Sequence, residues 1–206
     1  MNGRLITLEG IDGSGKTTQA VRLAARLEGL GQEVVLVREP GDTPVSEALR
    51  QLVLEHGDVG LSPRTEAMLF SAARAQLVDE IIAPAPERGT LVLCDRFADS
   101  TIAYQGYGRE LPLEEVITTQ RLVTRGITPG MTLLLDLAVD EAQARRSAAT
   151  DDRMESAGEH FLQRVRDGYL AMAAREPERW RIVNGAGNED DIAAEINRHT
   201  EAFLQT

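Results

Sequence analysis

Lysine is all but missing from this sequence. Its 206 residues include 21 arginines and one lysine, Lys16. In a chain that places arginine at every other basic position, that one lysine marks a point where a compact ammonium does what a planar guanidinium does not. Cysteine is nearly absent too. Cys94 alone excludes an internal disulfide and fits a reducing compartment. The three histidines, His56, His160 and His199, are scattered with no metal-ligand spacing. No apolar run approaches the roughly 18 residues that suggest a membrane span, and no signal-peptide pattern is visible. The expectation is a cytoplasmic protein with no membrane partner. A net charge of −11 argues against a nucleic-acid footprint. Any anionic ligand must therefore be met by arginines gathered locally.

The lone lysine sits in the stretch Gly10-Ile11-Asp12-Gly13-Ser14-Gly15-Lys16-Thr17-Thr18. It follows the apolar run Leu5-Ile6-Thr7-Leu8 and precedes a helical pattern. Gly-x4-Gly-Lys-Thr between strand and helix is the phosphate-binding loop of nucleoside-triphosphate enzymes. Its glycines let backbone N–H groups converge on phosphate oxygens, and the positive end of the helix points at the same anion. Lys16 is expected to reach the β- and γ-phosphates, and the Thr17 hydroxyl to ligate Mg2+.

Strand-like runs at 4–9, 33–37, 90–95, 131–137 and 180–184 alternate with helical patterns near 16–30, 44–56, 63–82, 112–125, 140–148, 157–175 and 189–204. The alternation predicts an α/β fold, a five-stranded parallel sheet with helices on both faces, in one domain over 1–206. The length suits one such domain. Ligands then bind at the carboxyl ends of the strands, so the residues that follow each strand carry the functional information.

After 33–37 come Arg38 and Glu39, at the ligand edge. On helix 63–82, Phe70 and Arg74 are four apart and share a face turned about 100° from the apolar line Leu69, Ala73, Leu77, Ile81. A ring beside a guanidinium suits a nucleobase, although a peripheral core Phe and a solvated Arg satisfy the same spacing. Strand 90–95 ends in Asp95, a position for a carboxylate on Mg2+ or its water shell. Asp136 is the competing candidate, but the segment after Asp95 is richer. Aromatics number only eight, and Phe97, Tyr104 and Tyr107 fall in it. Together with Phe70 they suggest rings that face a ligand rather than a core. Residues 140–155, with Arg145, Arg146 and Arg153 in a polar, Ala-rich piece, read as a flap with cationic tips.

In order after the phosphate loop come Arg-Glu-Pro-Gly (38–41), Leu-Phe-x-Ala-x-Arg (69–74), Asp-Arg-aromatic (95–97), Ala-Tyr-Gln-Gly (103–106) and Asp-Arg-x-Glu (152–155). This set resembles the thymidylate kinase family, which belongs to the nucleoside-monophosphate kinases of the P-loop NTPase fold. The resemblance implies Mg2+-assisted transfer of a phosphoryl group from ATP to dTMP, giving ADP and dTDP, and a homodimer. It implies that Phe70 stacks on thymine and Arg74 hydrogen-bonds its edge. Ser100, Thr101 and Gln105 line the substrate, and Tyr104 packs near the sugar 2′ carbon. Asp12 holds the 3′-hydroxyl, and Arg38 and Arg96 grip the acceptor phosphate, with Glu39 beside them. On the ATP side it implies residues Gly10 to Thr18, with Arg145 flanking adenine near Asn184-Gly185-Ala186. Lys16, Arg96 and Arg153 are the implied catalytic cations, and Thr17 and Asp95 the metal-side residues.

The chain departs from the family pattern at Asp42, where a second glycine is usual, and at Phe97, where tyrosine is common. Gly13 is not basic, and the lid carries Ser147 and Ala149 where many relatives have arginines. This matches the subclass that supplies its catalytic cation from the lid. Arg153 is then expected to carry that role, with Arg145 or Arg146. Two other readings are weighed. Another monophosphate or deoxynucleoside kinase of the same fold would differ in acceptor. A deoxynucleoside kinase needs a carboxylate base for a neutral hydroxyl, whereas Arg38 and Arg96 argue for a charged acceptor. A GTP- or ATP-driven switch that binds a partner is the other class; GTP switches read guanine through Asn-Lys-x-Asp, and with Lys16 the only lysine that motif is absent.

Overall fold

The computed structural model describes residues 4–55, 60–145 and 158–205. Strands β1 (Leu5–Glu9), β2 (Val34–Arg38), β3 (Leu91–Asp95), β4 (Met131–Asp136) and β5 (Trp180–Asn184) form a parallel sheet ordered β2-β3-β1-β4-β5. The central strands β1 and β3 are buried along their whole length, as strands covered on both faces require. Their pleat sorts the side chains into two cores. Ile6, Leu8, Leu91, Leu93, Leu133 and Leu135 face α1 (Lys16–Gly29) and α8 (Glu189–Leu204). Leu5, Val92 and Cys94 face the end of α3 (Pro63–Leu77), and Leu134 faces α7 (Glu159–Arg175).

The chain leaves β1 toward β2 and β3 on one side and returns to β4 on the other. That reversal opens a crevice at the carboxyl ends of β1 and β3, where ligands of open α/β sheets bind. Two helices lean over it. Helix α2 (Pro44–Arg50) is capped by the Thr43 side chain on the Ser46 N–H, and α3 by the Ser62 side chain on the Thr65 N–H. Both begin with proline, whose fixed φ suits a first turn. Each runs on through a π-helical turn, at Gln51–Glu55 and Val78–Ile82.

Helices α5 (Leu113–Val123) and α6 (Val139–Arg145) lie close to the expected ranges. Two helical pieces fall outside the expected helix ranges, a 3-10 turn at Ala85–Arg88 and a helix after β3. Directly after β3, α4 (Ala98–Thr101) widens into a π-helical stretch, Ile102–Gly108. It packs tightly on α7, where a Cβ on Gly168 would stand 2.6 Å from the Tyr107 ring. This approach presses the wide turn, with Tyr104 and Gln105 on it, against the crevice. Residues 146–155 of the expected flap, Arg146 and Arg153 included, lie outside the described residues.

Candidate active site

The loop from Gly10 to Gly15 joins β1 to α1. Gly10 adopts φ 141°, and a Cβ there would lie 2.6 Å from the Leu135 carbonyl oxygen, so the tight passage over β4 requires glycine. Gly15, at φ 94°, caps α1 with no side chain on the first-turn N–H groups. Those N–H groups and the helix dipole are thus presented at the mouth of the loop. Lys16 Nζ donates to the Ile11 carbonyl at 2.9 Å and lies 4.0 Å from Asp12. Burial and the nearby Arg96 charge lower its pKa to about 8, against the pull of Asp12, Asp95 and Glu9.

Thr17 donates its hydroxyl to Asp95 Oδ2 at 2.5 Å. These two hard oxygen donors, at the carboxyl end of β3 beside the phosphate loop, fit Mg2+, which takes one or two protein oxygens and fills its shell with phosphate and water. Among the described residues there is no cluster of three His, Cys, Asp or Glu side chains for a metal. The rival candidate, Asp136, is held at both oxygens by Arg166, at 2.6 and 2.9 Å.

Beside the loop opens a cleft lined by both charged and apolar side chains, as small-molecule sites are. Asp12 and Arg96 form its floor. Arg96 follows β3 in a left-handed conformation, φ 72°. Its guanidinium reaches the Gly10 carbonyl at 3.1 Å, the Asp12 carboxylate and the Tyr104 hydroxyl at 3.1 Å. Tyr104 in turn donates to the other Asp12 oxygen at 2.8 Å. Burial opposes the Asp12 charge, but Arg96 and Lys16 outweigh it and hold the carboxyl well below the usual range. The cleft therefore shares a charged floor with the phosphate loop.

The walls carry Phe70, Arg74, Ser100, Thr101 and Gln105, all of them expected from the sequence. Arg74 is buried. Its Nε donates to Glu39 Oε2 at 2.6 Å, its Nη1 to Thr101 at 2.8 Å and Gln120 at 2.5 Å, and its Nη2 to the Phe97 carbonyl at 2.9 Å. Of five N–H groups, one on Nη2 has no partner among the described residues. Gln105 Nε2 donates to Glu66 Oε1 at 3.0 Å. A carboxylate only accepts, so this bond fixes the amide and leaves the Gln105 carbonyl oxygen as an acceptor. Arg109 braces Glu66 from outside at 3.1 and 3.2 Å.

Three expectations need correcting. Arg38 does not line the cleft. Half exposed, its guanidinium turns to Glu47 at 3.1 Å and Asp42 at 3.8 Å, carboxylates its own loop and the first turn of α2 place nearer. Arg50 stands on the cleft wall and donates to the Pro40 carbonyl at 2.9 Å. Phe97 is a core residue, fully buried with Leu77 and Val78, because the left-handed turn at Arg96 directs it inward. Tyr107 packs on Gly168 of α7. Of the four clustered aromatics, only Phe70 and Tyr104 line the cleft. On the other side of the loop, Arg145 donates to the Gly185 carbonyl at 2.8 Å, which puts it beside the 184–186 loop. Glu9, Glu66, Gln120 and Tyr169, all buried, support the site and went unselected from sequence. Glu9 alone had a signal, an acidic residue ending an apolar strand.

The chain is similar to known proteins over nearly its whole length. The family model described as thymidylate kinase matches residues 8–196. A thymidylate kinase of Deinococcus radiodurans is 49% identical over 199 residues, covering 94% of each chain. That of Pelotomaculum thermopropionicum is 43% identical over 206 residues, 99% of this chain and 95% of its own. The crystal structure of thymidylate kinase from Ehrlichia chaffeensis superposes with a TM-score of 0.79 at 34% identity, over 96% of this chain and 97% of the other.

Proposed function

This chain belongs to the thymidylate kinase family, and on that premise we propose that it transfers the γ-phosphoryl group of ATP to dTMP, yielding ADP and dTDP. One observation carries the reading. Arg96 is bonded to both Gly10 and Asp12 of the phosphate loop while lining the cleft, so donor and acceptor phosphates would meet at one guanidinium.

The walls favour thymine chemically. The free Arg74 N–H meets a base carbonyl and the Gln105 carbonyl meets a ring N–H, the pattern of O4 and N3–H. Cytosine presents an amine and a bare ring nitrogen at those positions, so it would set donor against donor and acceptor against acceptor. Phe70 supplies the stacking face. Asp12, held ionised by Arg96 and Lys16, accepts the sugar 3′-hydroxyl, and Tyr104 crowds the 2′ carbon. Ser100 and Thr101 complete the wall, and Glu39 orients Arg74.

A phosphate monoester with its second pKa near ~6 is already a dianion at neutral pH, so the reaction requires no general base. The barrier lies in bringing two polyanions together. Lys16, with the loop N–H groups of Gly10 to Thr18, neutralises the donor phosphates, and Arg96 the acceptor. Arg50 adds positive charge to the cleft wall. Arg145 supports the loop that borders adenine, and Arg153 closes over ATP from a lid at about 140–155. Thr17 and Asp95 would hold Mg2+, which when bound neutralises charge on the β- and γ-oxygens. We place the whole in one domain of 1–206, acting as a homodimer in the cytoplasm. No helix among the described residues is long and apolar enough to cross a membrane.

Incubation with γ-labelled ATP and dTMP tests the reading. Label recovered in dTDP supports it, and label recovered only as inorganic phosphate contradicts it.

A further inference from the structure

Below the cleft, β1 ends in a carboxylate that touches no proposed ligand position. Glu9 is fully buried. Its Oε1 accepts the Phe97 N–H at 2.8 Å. Its Oε2 accepts the Ser100 hydroxyl at 2.6 Å and the Tyr169 hydroxyl at 2.8 Å. These same two hydroxyls receive Arg96 Nη1, at 3.2 and 3.4 Å. All three Glu9 bonds therefore bear on Arg96. One pins the amide just after its left-handed turn, and two turn hydroxyl protons away from its guanidinium. A hydroxyl has one proton to give. With both protons held by Glu9, both oxygens keep their lone pairs for Arg96, and the two hydroxyls, 2.9 Å apart, do not donate to each other.

We propose that Glu9 is a positioning residue that sets the Arg96 guanidinium for the acceptor phosphate through the Ser100 and Tyr169 hydroxyls and the Phe97 amide, and that its ionised form is the competent one. This rests on the reading of Arg96 above. The titratable and charged groups around Glu9 are Asp99 on α4, Arg96, Tyr169 on α7, Lys16 on α1, Glu39 after β2 and Cys94 on β3. Asp99 is itself paired with Arg179 at 2.7 Å. Burial and then the Asp99 charge push Glu9 up to about 7, against Ser100, Arg96 and Tyr169. A proton arriving on Oε2 must be donated to one of the hydroxyls. That hydroxyl then gives up its bond to Glu9 and turns its proton toward the other hydroxyl, 2.9 Å away, or toward the guanidinium, so the network that sets Arg96 is rearranged. Use of dTMP is thus lost as pH falls through about 7, above the ionisation of the substrate phosphate near ~6.

The test is steady-state kinetics on the full chain from pH 5.5 to 9, with dTMP varied at saturating MgATP. Tyr169→Phe keeps the ring and removes one donor to Glu9. The acid limb of kcat/KM for dTMP then moves to higher pH, while KM for ATP stays within about twofold. Glu9→Gln loses about 10- to 100-fold in kcat/KM for dTMP at pH 8, a misplacement-sized effect, and loses the limb near 7. An unmoved limb in Tyr169→Phe overturns the proposal even if Glu9→Gln does not fold. Arg96→Ala separates the two levels. Wild-type kcat/KM in Arg96→Ala defeats the reading of Arg96 itself. An impaired Arg96→Ala alongside Glu9 and Tyr169 variants that match the wild type defeats the role of Glu9 alone.

Discussion

Arg74 Nε and Glu39 Oε2 meet at 2.6 Å with both side chains only 3% exposed. The pair ties the segment after β2 to the last turn of α3 and forms a wall of the cleft. Removing one partner of a buried ion pair strands the other charge, which typically costs about 3–5 kcal/mol. Arg74→Ala and Glu39→Ala are each expected to lose stability on that scale, measured by urea unfolding. Glu39→Gln keeps an acceptor for Nε but still strands the guanidinium charge, so it is expected to lose most of the same stability. A Glu39→Gln variant as stable as the wild type would contradict the ion-pair account.

Glu66 governs which way the Gln105 amide faces. In Glu66→Gln the partner no longer only accepts, and the Gln105 amide is free to turn over. The expected result is about a tenfold fall in kcat/KM for dTMP, the scale of one hydrogen bond, with KM for ATP unchanged. The preference for dTMP over dCMP narrows at the same time. A variant that keeps the full preference would show that Glu66 has no part in base selection.

The Lys16 pKa, lowered to about 8, gives ATP binding a pH signature. Below 8 the free protein already carries the ammonium that the polyphosphate needs. Above 8 the group is mostly neutral, and binding must recharge it. ATP affinity is therefore expected to fall up to tenfold per pH unit above 8, with a proton taken up on binding. Calorimetry in two buffers of different ionisation enthalpy reads that proton directly. No uptake at pH 9 would place the free Lys16 pKa well above 8.

Much of this was legible in the sequence because it depends on local pattern. The β5 strand and α8 fall where the apolar pattern puts them, and β1 to β4 within a residue of their expected ends. The phosphate loop, Phe70 and Arg74 were singled out by spacing, Asp95 by its place at the end of a strand and Tyr104 by the scarcity of aromatics. What escaped was set by tertiary geometry. No periodicity announces the widened turn at Ile102–Gly108, since it forms where the chain is squeezed against Gly168. The Arg38 guanidinium was decided by competition between the cleft and two nearby carboxylates. Phe97 looked like a ligand ring because its neighbours are functional, yet the backbone at Arg96 sends it into the core.

The aromatic cluster carries a narrower lesson. Scarcity made every ring informative, but it did not tell a ring that lines a cleft from one that supports its wall. Tyr169, far off in sequence, proves to touch Arg96, and only folding reveals that contact.

The central claim is a kinase whose acceptor is dTMP. The most direct measurement is ADP release from MgATP with dTMP, dUMP, dCMP, dGMP, AMP, UMP, thymidine or water as acceptor. The account predicts the highest turnover with dTMP, weak turnover with dCMP and UMP, and little with thymidine or water. Slow ATP hydrolysis that no nucleotide stimulates would contradict it.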